Sequence, residues 1–507
     1  MNLTRLLCCL VTLVLPVVVP AAVKPNSLFS DGAVLQCELP APVWGTAKAG
    51  EKVTVTFAGQ TVTAITDDKG DWQVKLKPLK PNAEPQTMTI AGENTVTITN
   101  LLVGEVWICS GQSNMQWPLS ATTNAAEAVA AANDSLIRLF SVPRYGQERP
   151  LRDVKGAWAE CSSKTVPGFS AVGYYFGRDL RQALKRPVGL INSSVGGTEA
   201  EKWTSRATLE GDPELRKLLI NHEAALTNYQ IAWAAYRTNE PALLAKYNEE
   251  VEAAKAVGKP APRKPGPPAN PANNGPTSLY NAMIAPLQPF AIRGVIWYQG
   301  ESNAGRAEQY KTLFPALIRG WREAWAGGEF PFLFVQIAPY VSMPPEIREA
   351  QLVAWQKTPN TAMTVITDHG EARDIHPKQK EPVGARLALA ARALAYGENI
   401  EYSGPVVDAI KVEGDKAVLT FSHLGGGLIA KDGELKGFTI ASADKKFVPA
   451  NAKIDGKTVV VTSTNVTQPV AVAYGWAAVP DVNFFNTDGL PATPFRIQIA
   501  GGTTPEP

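Results

Sequence analysis

The segment Glu105-Val-Trp-Ile-Cys-Ser-Gly-Gln-Ser-Asn-Met115 opens on a short apolar run and ends on a turn that holds Gly111 and Ser113. The run predicts a buried strand, and the turn is expected to lead into a helix. A strand buried on both faces belongs to a parallel sheet covered by helices. A serine just past its end lies at the C-terminal edge of that sheet. There its own N–H and a helix N-terminus can meet developing negative charge. That setting suits acyl transfer, with Ser113 as nucleophile. It is not the elbow of an α/β-hydrolase, because G-x-S-x-G requires glycine where Met115 stands. A serine beside a glycine at a strand end is also ordinary turn chemistry, so the segment needs partners elsewhere in the chain.

Outward from it, apolar runs at residues 188–191, 295–298, 332–337 and 363–367 alternate with helical stretches at 174–184 and 383–395. Residues 104–398 therefore read as an α/β domain, a parallel sheet flanked by helices. Within it, residues 212–276 carry no strand signal. Two helical stretches, 214–236 and 242–256, are followed by a Pro-rich tract at 259–276 that is expected to be extended or mobile. This reads as an insertion. Residues 23–103 alternate apolar and polar positions, as in Val53-Thr-Val-Thr-Phe57, and predict an N-terminal β-sandwich-like domain; alternation resumes over 399–507 as a C-terminal β-region. At 45% hydrophobic and 19% charged residues with a net charge of +2, the chain is globular in composition. It lacks the basic, aromatic-rich stretches of a nucleic-acid surface.

Two further turns follow apolar runs of the same sheet. Asn192-Ser-Ser-Val-Gly-Gly-Thr198 offers the backbone N–H groups of Gly196 and Gly197, and Gln299-Gly-Glu-Ser-Asn303 offers Gln299 and Asn303 as neutral amide donors. Strand-end turns of one parallel sheet gather on one rim. A base must come from four histidines, His222, His369, His376 and His423. His376, in Asp374-Ile-His-Pro377, has a neighbouring carboxylate able to fix its tautomer; His369 is the rival. Trp117, Trp203, Trp297 and Tyr298 lie near these blocks, where large aromatics stack on sugar or fill the core. No cluster of Cys and His has the spacing of a zinc site.

Four blocks, Gly111-Gln-Ser-Asn-Met115, Ser194-Val-Gly-Gly-Thr198, Trp297-Tyr-Gln-Gly-Glu-Ser-Asn303 and Asp374-Ile-His-Pro377, resemble in order and spacing those of the sialate O-acetylesterase family of SGNH hydrolases, which has xylan acetylesterase relatives. Leu28-Phe-Ser-Asp-Gly-Ala-Val-Leu-Gln36, Pro42-Val-Trp-Gly-Thr46 and Asn483-Phe-Phe-Asn-Thr-Asp-Gly-Leu-Pro491 extend the likeness over nearly the whole chain. The resemblance implies a carbohydrate O-acetylesterase with Ser113 as nucleophile and His376 as base. It further implies an oxyanion hole from the Ser113 N–H, Gly196 or Gly197, and an amide of Gln299 or Asn303. The wider SGNH pattern places Asp three residues before His, where this chain has Arg373. Either Asp374 orients His376, or a backbone carbonyl, Asp368 or Glu371 does. Such a Ser-His-(Asp) mechanism needs no cofactor and no metal. The expected partner is an acetylated carbohydrate, sialate first and xylan or another polysaccharide as the alternative; the rival from another class is a non-catalytic carbohydrate-binding protein.

Residues 1–22 have the layout of an export signal: Arg5, an apolar run from Leu6 to Val19 broken by Pro16, then Ala21 and Ala22. The apolar run is shorter than the ~20 residues that span a bilayer. A secreted or periplasmic protein without a membrane anchor is expected. Cys8 and Cys9 leave with the signal, and Cys37, Cys109 and Cys161 are too few and too unpaired for a disulfide framework. N-terminal sequencing of the exported protein is expected to begin near Val23; recovery of residues 1–19 in a membrane fraction contradicts this.

Overall fold

A computed structural model describes residues 22–325 and 327–499. Residues 1–21, which carry nearly all of the expected export signal with Cys8 and Cys9, lie outside the described residues. The central sheet contains β1 (Thr95–Gly111), β2 (Asp134–Ser141), β3 (Trp158–Cys161), β4 (Val188–Ser194), β5 (Gly294–Tyr298), β6 (Phe332–Val335) and β7 (Thr361–Thr364). Their spatial order is β3-β2-β4-β1-β5-β6-β7. Every neighbouring pair is parallel except β3 with β2. Residues 101–111 of β1 are all buried, as expected for a strand with helices on both faces. Those helices include α1 (Ser113–Gln116), α2 (Ala171–Leu184), α4 (Ala307–Trp325), α5 (Pro345–Lys357) and α6 (Glu381–Tyr396).

The first half of β1 belongs to a different layer. Residues 95–103 pair antiparallel with Asn82–Ala91, and residues 102–104 pair parallel with Val34–Gln36, both in the N-terminal β-region. One strand thus runs through the position where the sequence changes character, and the two regions share it. Glu105, at the crossing, is fully buried. Its carboxylate accepts from Gln36 Nε2 at 3.0 Å, Cys37 Sγ at 3.1 Å, Arg293 Nε at 2.8 Å and Arg186 Nη1 at 3.0 Å. Burial alone pushes this carboxyl up, but the hydrogen bond and charge of Arg293, with Gln36 and Cys37, hold it below its ordinary value. Cys37, Cys109 and Cys161 are free and buried. Beyond α6, the C-terminal strands form antiparallel sheets, among them Val406–Glu413, Lys416–Ser422, Thr458–Thr462 and Asn451–Asp455 in one layer.

The insertion is one helix where the sequence predicts two. α3 (Pro213–Ala256) runs for 44 residues through Pro241. Asp212 caps it by accepting from the N–H groups of Glu214 and Leu215, with Pro213 in the first turn. A mid-helix proline removes one hydrogen bond and costs about 3 kcal/mol. The Ala-, Leu-, Glu- and Lys-rich flanks carry the helix through. Only Leu215 and Leu219 are buried, so the rest projects from the body. From His222 to Gly258 the helix path is about 54 Å at ~1.5 Å per residue. The chain is back beside the His222 ring at Gly275. Pro262, Pro265 and Pro268 are half-buried among exposed neighbours, a three-residue spacing, and Pro271, with φ of −80° and ψ of −10°, leads into a 3-10 turn over Ala272–Asn274. Leu226, Tyr229, Tyr236, Leu244 and Tyr247 are half-buried along one face of α3.

Glu105→Gln keeps shape but leaves Arg186 and Arg293 without their buried anion. Breaking such a pair is expected to cost about 3–5 kcal/mol, read as a lowered urea midpoint. An unchanged midpoint means that the arginines are satisfied by Glu38, which already lies 3.0 and 3.2 Å from them.

Candidate active site

Gly111 closes β1 with register partners on both sides, Ser194 on β4 and Tyr298 on β5. Three of the four sequence blocks therefore meet at one level, at adjacent strand ends. Gly111 has φ of 133°, and a Cβ there would stand 2.2 Å from the Tyr298 carbonyl oxygen, so only glycine fits. The chain then turns: Gln112 N–H donates to Tyr298 O at 2.9 Å, and the N–H groups of Met115 and Gln116 donate to Gln112 O. Ser113 opens α1 half-exposed between buried Gln112 and Asn114. Gly196 lies against it; a Cβ on Gly196 would sit 3.2 Å from Ser113 Cβ. The Gly196 N–H donates to Gln116 Oε1 at 2.6 Å. Gly197, with φ of 69°, is exposed beside it.

Gln299 and Asn303 lie in the third block but are buried, and their amides are engaged with protein groups. Gln299 Nε2 donates to Thr198 O at 3.1 Å and Asn303 Oδ1 at 2.6 Å. Asn303 Nδ2 donates to Glu201 Oε2 at 3.0 Å, while its Oδ1 also accepts from Ala200 N–H at 2.9 Å. These bonds tie the loop after β4 to the end of β5. Trp203, Trp297 and Tyr298 are core residues, each 0% exposed.

His376 stands on the loop between β7 and α6, half-buried, with its ring stacked on Trp117 at 5.0 Å between centroids and 19° between planes. Asp374 Oδ1 accepts the His376 backbone N–H at 2.9 Å and lies 3.8 Å from the ring Nδ1. The carboxylate thus shapes the loop and sets a negative charge near the ring without hydrogen-bonding it. Burial, and next the positive charge of Lys380, hold the His376 pKa below its ordinary value, against Asp374. The other carboxylates considered for this role are occupied: Asp368 makes a two-pronged pair with Arg386 at 2.8 and 2.7 Å, and Glu371 accepts from Lys378 N–H. His369 bonds Gln379, His222 belongs to the arm, and His423 pairs with Glu401 in the C-terminal region.

No hydrogen bond joins Ser113 to His376 among the described residues. Their segments are held together by Asn114, whose Nδ2 donates to Ile375 O at 3.0 Å and to Glu301 Oε1 at 2.7 Å, while its Oδ1 accepts from Lys380 Nζ. Lys380 is 0% exposed. Burial brings its pKa down to about 7, opposed by the charges of Glu301, Asp374 and Glu371. Glu301 is pushed up by burial, opposed by hydrogen bonds that include the one from Asn114. Sequence reasoning missed this buried trio. Asn114 and Glu301 sit inside quoted blocks, and Lys380 looks like any lysine at a helix start. Among the described residues, Cys37, Glu38 and Glu105 have ligand atoms within 4.8 Å of one another, as a metal site would. Arg186 and Arg293 already supply the cations there, and burial with nearby carboxylates pushes the Cys37 thiol up to about 12, away from thiolate.

The chain is 33% identical to mouse sialate O-acetylesterase over 91% of each chain, and 32% identical to the human enzyme over 92% of this chain and 91% of that one. A solved carbohydrate acetylesterase from Xanthomonas citri superimposes with a TM-score of 0.79 at 37% identity, covering 94% of this chain and all of the other. The family model for carbohydrate esterase, sialic acid-specific acetylesterase matches residues 103–232 and 269–392, which takes in all four blocks and omits the outer arm. With the Ser113 turn, the glycine loop and the His376 loop all inside the matched residues, this chain belongs to the sialic acid-specific acetylesterase family of carbohydrate esterases.

Proposed function

We propose that the protein is an exported SGNH-type O-acetylesterase that releases acetate from an acetylated carbohydrate through an acyl-enzyme on Ser113. The Asn114–Ile375 hydrogen bond carries this reading, because it brings the histidine loop to the one half-exposed serine of the strand-end turn. Neutral His376 takes the Ser113 proton as Oγ attacks the acetyl carbonyl. The oxyanion is met by the Ser113 N–H and by Gly196, whose N–H exchanges its Gln116 acceptor for the substrate, with Gly197 beside it. Gln299 and Asn303 act in support, holding the glycine loop in place. The sugar hydroxyl leaves with the proton, and water activated by His376 frees acetate. Asp374 supplies charge that favours the imidazolium. The sialate enzymes among the relatives favour acetylated sialic acid; the Xanthomonas citri carbohydrate acetylesterase, at higher identity, supports a wider set of acetylated glycans. The residue 1–22 pattern supports action outside the cytoplasm.

Ser113→Ala and His376→Ala are each expected to lower kcat on an aryl acetate by at least about a thousandfold, and the double variant no further, since a nucleophile and its base act as a unit. Turnover near normal in His376→Ala moves the base to His369. Asp374→Asn retains an acceptor for the His376 N–H and removes only charge. Its loss is expected to be on the order of tenfold, well short of the ~10⁴ found when a triad Asp that hydrogen-bonds its histidine is replaced. A ~10⁴ loss would show that the ring closes on Asp374 during turnover.

Replacing residues 233–268, the part of the arm outside the family match, with a short Gly-rich turn is expected to leave aryl acetate hydrolysis unchanged. Loss of that activity in a folded variant would show that the outer arm completes the site.

A further inference from the structure

We infer that Lys380 is a positioning residue for this esterase: buried at the start of α6, it fixes the orientation of the Asn114 carboxamide that joins the histidine loop to the nucleophile turn. The inference rests on His376 being the base. In its charged form Lys380 can only donate, so it draws the Asn114 oxygen toward itself. That choice aims both amide hydrogens the other way, one at Glu301 Oε1 and one at the Ile375 carbonyl. All three polar positions of the carboxamide are then committed, and a flipped amide would set its NH2 against the ammonium and its oxygen against two acceptors. The residue before Ser113's own helical neighbour Met115 and the residue before His376 are thereby locked to each other.

The surroundings of Lys380 leave it little else to do. It lies at the start of α6, fully buried, with the Tyr298 ring 5.3 Å from its Nζ. Glu301 faces it from the segment after β5, and Asp374 and Glu371 from its own loop. A buried lysine that packing alone required would be replaced by methionine at a gain, since an ammonium out of water is costly. The cost here is offset by Asn114, Glu301 and the aromatic face. Asp374 and Lys380 are the charges that act on His376, with opposite signs, while Trp117 covers one face of the ring. The histidine is active when neutral, so a cation nearby extends activity to lower pH. Its removal must move the acid limb of the rate profile upward.

Four histidines make the test direct. In histidine-labelled protein carrying Ser113→Ala, the His376 ring is titrated by NMR, with its signal identified by loss in His376→Gln. Lys380→Met is expected to raise the His376 midpoint toward the ordinary value of about 6.5. In the Ser113-containing enzyme the same change is expected to lower kcat ~10–100-fold through misplacement of the base, at unchanged KM, with the acid limb of kcat/KM moved up alongside the NMR midpoint. Asn114→Ala is expected to lower kcat comparably, and the double variant to be no worse than the poorer single, because both act through one bond network. Should Lys380→Met not fold, Lys380→Gln, which keeps an N–H donor without the charge, carries the same titration. An unmoved His376 midpoint with normal kcat in a folded variant overturns the role of Lys380, as does full additivity with Asn114→Ala. Failure of the base assignment would show differently, as normal turnover in His376→Ala.

Discussion

The structure depends on one row of the central sheet, where Ser194, Gly111 and Tyr298 stand in register across three adjacent parallel strands. A slip of one residue in β1 would reverse every side chain on it and carry Ser113 off the rim. Two features pin that register. β1 is long enough to be held by two layers, the N-terminal strands at its start and β4 and β5 at its end. At the crossing, Glu105 reaches side chains from the N-terminal region and from the segments that lead into β4 and β5. The chain also crosses from one side of β1 to the other between β4 and β5, which makes the end of β1 a topological switch point. In open α/β sheets that crevice is where ligands bind.

What the row places, Asn114 joins. The Ser113 turn and the His376 loop come from strands that are not neighbours, β1 and β7. Sheet hydrogen bonds therefore cannot set the distance between them. A side chain that reaches from one to the other must do so, and a carboxamide with every polar atom committed is well suited, because its geometry is fixed in two directions at once. Behind it Lys380 and Glu301 are both buried, which shifts each of them toward its neutral form.

The strand-end blocks are legible because parallel strands buried on both faces read as apolar runs, and the polar glycine turns after them stand out. His376 is legible by scarcity, since few histidines compete. What sequence does not carry is the partner of each polar side chain. Gln299 and Asn303 look like open donors until Thr198 O, Ala200 N–H and Glu201 are found around them. Trp117 looks like a sugar platform until its face is found against the imidazole. Lys380 has no local signal at all, because its burial depends on residues contributed by α1 and the end of β5. The unbroken α3 shows the opposite error: the penalty of Pro241 is local and visible, while the helix-forming flanks that carry the chain through it act over the whole length from the Asp212 cap onward.

For the base proposed above, the charges around His376 express a compromise that acyl transfer imposes. A base must be neutral to accept the serine proton, yet it becomes a cation in the transition state, so a group that favours one form penalises the other. Asp374 alone would stabilise the cation but keep part of the enzyme protonated near neutral pH. Lys380 alone would free the base and weaken its hold on the proton. Held at 3.8 Å and bonded to the backbone instead of the ring, Asp374 contributes a moderate field, and Lys380 opposes it from beneath. Because the ammonium is itself brought down to about 7 by burial, its charge is lost as pH rises through that range, so its opposition to the imidazolium of the proposed base is strongest on the acid side and weakens toward higher pH.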